Sequence, residues 1–139
     1  VGTLPALGSA LYQKLANDAT VASQIGGTAA PRLYWQLAPP DTEYPLVIFS
    51  LGAGNIPNMT PHDAVNWVYR ITAIAQTRAA AEDVHNAVYT ALHEQTLSVD
   101  GWDVYWMACE RVAVPPVEVV DGHYYWRFAA DYRIRACSN

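Results

Sequence analysis

Four histidines, two cysteines and one glycine-rich turn are the parts of this 139-residue sequence that could do chemistry. A histidine acts as general base or metal ligand near neutral pH. His85 and His93 lie eight residues apart on a stretch with helical periodicity, about 12 Å along the axis, whereas one metal needs an i, i+4 pair. They read as surface histidines. His62 and Asp63 are adjacent in a loop, which does not make a dyad, and neither a G-x-S-x-G elbow nor a cysteine with a placed histidine accompanies them. Gly52-Ala53-Gly54 follows a strand pattern, as a nucleotide-binding turn does. The third glycine is missing, Pro57 and Pro61 follow, and the next element reads as a strand. Cys109 and Cys137 form no CxxC, and each falls in an apolar strand pattern, so both are expected to be free thiols. Asn58-Met59-Thr60 is a formal glycosylation site that means nothing without a secretory signal. The expectation is a protein with no catalytic residue, no cofactor and no metal.

Composition points toward packing and assembly. Hydrophobic residues make up 52% and charged residues 15%, against a usual charged share of about 25%. So apolar a surface is expected to meet a partner. The net charge is −5 and the basic residues form no run, which excludes a phosphate-binding stripe. Seven of the eight basic residues are Arg, a type suited to planar pairing at interfaces. The sixteen aromatics would need interleaved basic residues to form a stacking platform for single-stranded nucleic acid, so core and interface packing is the better use of them. No run of 18 apolar residues and no leader pattern occurs, so neither a membrane span nor secretion is expected.

The elements that must position these residues follow from periodicity. Leu4, Leu7, Leu11 and Leu15 form one stripe of an amphipathic helix, ended by Asn17 and Asp18. Asp18 is placed to cap a second short turn with Val21 and Ile25 inward, closed by Gly26 and Gly27. Residues 32–35 read as a short strand, and 46–51 as an apolar strand covered on both faces. Residues 52–64 lack periodicity and read as a long loop with Asn55, Met59 and His62 near its tip, a candidate contact with a partner. Residues 65–75 alternate as a strand, and Thr77 caps a helix over 78–94 whose inward stripe is Ala81, Val84, Val88, Ala91 and Leu92, with Glu82 and Asp83 in its first turn. Two strands close the chain, 103–112 and 123–134, with a turn at Asp121-Gly122. Paired as a hairpin, they would set Cys109 opposite a residue near Trp126, about 35 Å from Cys137. On the last strand Tyr125, Arg127 and Arg133 share the face away from the apolar one, a candidate subunit interface. The expected fold is one α+β domain over residues 1–139, with a mainly antiparallel sheet of four to five strands and two main helices on one face.

Taken in order, these pieces resemble the tail-completion, or tail-terminator, family of long-tailed phages and phage-like gene transfer particles. The likeness rests on the helix at 7–16, Val21 to Gly26, Arg32-Leu33-Tyr34, Ala38-Pro39 and the strand opening Pro45-Leu46-Val47-Ile48-Phe49. It continues through Tyr69-Arg70-Ile71-Thr72-Ala73-Ile74-Ala75, the helix from Ala81-Glu82 to Ala91-Leu92, and Asp131-Tyr132-Arg133-Ile134. It covers nearly the whole chain through hydrophobic patterns, and the connections 52–64 and 114–122 depart from it. The resemblance implies a virion subunit, assembled in the host cytoplasm, that forms a ring, usually of six, on the head-proximal end of the tail tube. Its partners would be copies of itself, the tail-tube protein and a neck or head-completion protein, with DNA passing through the ring unbound. Two rivals remain: a small-molecule-binding or enzymatic α+β domain using the aromatic strand face as its pocket, and a head-completion or neck adaptor protein.

Overall fold

The computed structural model describes residues 3–27, 29–55 and 64–138. Helix α1 spans Thr3–Ala16, and Leu7, Leu11 and Leu15 of its stripe are completely buried, each contributing about 1.5–3 kcal/mol on leaving water. Asp18 caps α2 (Ala19–Gln24) by accepting from the Thr20 and Val21 backbone N–H groups at 3.1 and 3.0 Å. Gly26 follows at φ 111°, where a Cβ would stand 2.9 Å from Arg32 Nη1 and 3.0 Å from the Ala30 carbonyl oxygen, so no side chain fits. The Arg32 N–H then donates to the Ile25 carbonyl and leads the chain into β1 (Leu33–Trp35).

The remaining elements are β2 (Leu46–Asn55), β3 (Ala64–Ala75), α3 (Arg78–Leu92), β4 (Ser98–Val99), β5 (Trp102–Ala113), β6 (Glu118–Val120) and β7 (His123–Ser138). The main sheet runs β1-β2-β3-β7-β5-β4, with β6 paired to the start of β7. Only β1 and β2 are parallel; all other pairs are antiparallel. One apolar cluster joins Leu7, Leu11, Leu15, Val21 and Ile25 to Val84, Val88 and Leu92 of α3 and to Val47, Phe49, Tyr69, Ile71, Tyr132 and Ile134 of the sheet. The helices therefore cover the sheet face carrying these inward residues, and among the described residues no helix covers the other face. The fold is α+β as expected, but the seven strands exceed the four to five anticipated. The surplus is short: β1, β4 and β6 have two or three residues each, too few to leave a periodic signature.

Several expectations change. Residues 53–55, placed in a loop by the sequence, extend β2 and pair with Val68, Trp67 and Asn66 beyond a bulge at Gly52. Strand β2 is sealed along its length only toward the helices, where Val47 and Phe49 are buried; on the other face Leu46 is buried, but Ile48 and Ser50 are half-buried. Helix α3 starts at Arg78, so Glu82 and Asp83 fall past the first turn, and Glu82 instead forms an i, i+4 pair with Arg78 at 3.8 Å.

The closing hairpin also differs. Asp121 (φ 52°) and Gly122 (φ 78°) make a two-residue turn with both φ positive, joining the three-residue β6 to β7. The longer β5 pairs farther along β7, from Ala113↔Ala129 to Trp102↔Ser138. Cys109 therefore faces Tyr132, five residues and about 17 Å along the strand from Cys137. Both thiols are free.

Candidate assembly surface

His85, His93 and Cys109 each have a structural engagement, whereas His123 is exposed at the start of β7. His85 stacks on Phe128 with ring centroids 5.7 Å apart, and burial pushes its pKa down against a weaker upward pull from Glu82, which favours the neutral ring. His93, the C-cap of α3, stacks on Tyr89 at 4.5 Å and accepts from the Cys109 backbone N–H at 3.0 Å through Nδ1. Beside that bond, the Glu94 N–H donates to the Met107 carbonyl at 2.8 Å. The end of α3 thus occupies edge groups of β5 that an edge strand would otherwise present to other chains. Burial also raises the Cys109 thiol, the opposite of activation. Among the described residues no three His, Cys, Asp or Glu side chains could hold a metal. The aromatic strand face proposed for a ligand pocket is packed under the helices, with Tyr69 and Tyr132 completely buried.

The helix-free face of the sheet carries a ladder of ion pairs instead. Arg70 on β3 lies directly opposite Asp131 on β7 and donates to it through two nitrogens at 2.8 and 3.2 Å, and that bond raises the guanidinium pKa further. Arg133 reaches Asn66 on one neighbouring strand and Glu110 on the other. Glu110 reaches it from a β5 register shift between Cys109 and Arg111, where an extra residue re-aims its side chain. Arg127 pairs with Glu118 of β6 at 3.1 Å, and Tyr125 lies against Tyr44 at 5.1 Å between ring centroids. Tyr125, Arg127 and Arg133 therefore share the helix-free face, as the alternation implied. Of the three loop candidates, Asn55 lies on β2 opposite Asn66, and Met59 and His62 lie outside the described residues.

Exposed apolar side chains gather at the two ends of the β5–β7 ladder. At one end, Val112, Val114, Val119, Val120 and Tyr124 are 44–56% exposed. At the other, Tyr105 and Trp106 are 60% and 45% exposed because a register shift between Val104 and Trp106 turns two consecutive side chains outward. Sequence reasoning assigned the strand but missed this patch. Its only sequence signal is the break in alternation where Val104, Tyr105, Trp106 and Met107 run without a polar residue.

A family model described as tail completion protein gp17 matches residues 9–112, from α1 almost to the end of β5. No curated protein matches the chain. Among solved structures, a chain from the virion of a native gene transfer agent (GTA) particle is similar at a TM-score of 0.75 and 21% identity. The likeness covers 99% of this chain and 98% of that one. At that identity it establishes a shared fold.

Proposed function

This chain belongs to the tail completion protein gp17 family, a structural component of the virion tail, and we propose that it forms a ring of six subunits. The ring closes the head-proximal end of the tail tube and joins it to the neck. The observation that carries this reading is the surface: seven large apolar side chains stand exposed at the two ends of one strand ladder, in a chain whose His85, His93 and Cys109 are tied into packing. A lone monomer gains nothing from such exposure, whereas an assembling subunit covers it.

On this reading the helix-free face, with Tyr125, Arg127 and Arg133, borders a neighbouring subunit, and the 52–64 connection, with Asn55, Met59 and His62, meets the tube or neck. A net charge of −5 suits a channel through which DNA slides without sticking. Electron microscopy of the purified protein with and without tail-tube subunits tests the reading, with rings expected at tube ends. Deleting 57–62 should leave the fold intact and abolish capping. A monomer that ignores tubes and instead saturably binds a metabolite would overturn the proposal, and preferential binding to the portal would make it a neck adaptor.

A further inference from the structure

The two exposed apolar patches differ in charge. The 112–124 arm, formed by the end of β5 and the β6–β7 hairpin, holds Glu118 and Asp121 and neither Lys nor Arg. Glu118 is engaged by Arg127, and Asp121 stands at the exposed tip. At the other end, Trp106 lies directly opposite Arg135, which is exposed and has no ion-pair partner among the described residues, and the exposed Asp103 borders the patch opposite Cys137. Tyr124 and Arg135 are eleven residues apart on β7, a separation of about 36 Å along the strand.

We propose that the 112–124 arm of each subunit docks on the Tyr105–Trp106–Arg135 patch of the next copy of this chain. The inference rests on the ring reading and names the junction that builds it. Charge favours the pairing: arm against arm brings the acidic tips together, whereas arm against patch sets Asp121 near Arg135. Aromatic and arginine side chains are also the types that anchor interfaces. Two different patches at opposite ends of one ladder make a head-to-tail contact, which closes into a ring when the rotation per subunit permits.

The junction is tested with Val119→Asp in the arm and Trp106→Asp in the patch. Val120→Asp and Tyr105→Ser serve as second variants at neighbouring exposed positions, and circular dichroism verifies the fold of each. Oligomers are followed by mass photometry and by electron microscopy on tail tubes. Each variant alone should form no ring. Mixing an arm variant with a patch variant should give heterodimers that stop there, because each pair retains one intact arm and one intact patch. Complete rings from both variants, or from Val119→Asp with loss of tube binding, would overturn the junction, the second outcome handing the arm to the tube protein. Absence of rings from the unaltered chain at tube ends would instead remove the ring reading, and the junction with it.

Discussion

Tyr132→Phe should stabilise the protein, against the usual direction of a core substitution. Tyr132 is completely buried between β3 and β5, and its hydroxyl oxygen has no hydrogen-bond partner among the described residues. Burial, with smaller contributions from Cys109 and Tyr89, raises its pKa, so the group is a neutral hydroxyl held away from water. An unsatisfied buried polar group costs about 1–3 kcal/mol relative to its hydrated state in the unfolded chain. Removing one oxygen leaves a void on the order of 10 Å³, and at about 24 cal/mol per Å³ its cost is only a few tenths of a kcal/mol. The net expectation is a gain of about 1–2 kcal/mol. Urea unfolding followed by tryptophan fluorescence should show a higher midpoint at unchanged slope, and 1 kcal/mol should raise Tm by about 3–5 °C at this chain length. Two protein concentrations separate this effect from any contribution of assembly. A lower midpoint in the phenylalanine variant would refute the reasoning, because it would mean that the hydroxyl is satisfied.

His93→Ala should cost about 1 kcal/mol, since it strands the part-buried Cys109 N–H and removes the ring stacked on Tyr89; hydrogen exchange at Cys109 should quicken more than at Ile134. Asp18→Ala removes the acceptor of two N–H groups at the start of α2 and should lower stability by about 1 kcal/mol. Stability should also fall at alkaline pH. Burial raises Tyr69 from 10.0 to about 12, and Tyr132 moves in the same direction. The unfolded chain therefore releases these protons first, so the stabilisation present below pH 10 is lost as pH rises toward 12. Absorbance at 295 nm should show these two tyrosines ionising only as circular dichroism reports unfolding.

The sequence by itself determined whatever depends on neighbours along the chain. The leucine stripe of α1, the inward residues of α3, the caps Asp18 and Thr77, the Asp121-Gly122 turn and the two faces of β7 were all legible, because helix and strand periods and capping bonds act over a few residues. Tertiary structure decided what depends on partners distant in sequence. The placement of β7 between β3 and β5 set Cys109 against Tyr132, and pairing with β3 drew residues 53–55 into β2. Ladder irregularities in β5 turned Tyr105, Trp106 and Glu110 outward. A bulge is a mismatch between two strands, so neither strand alone encodes where its side chains point.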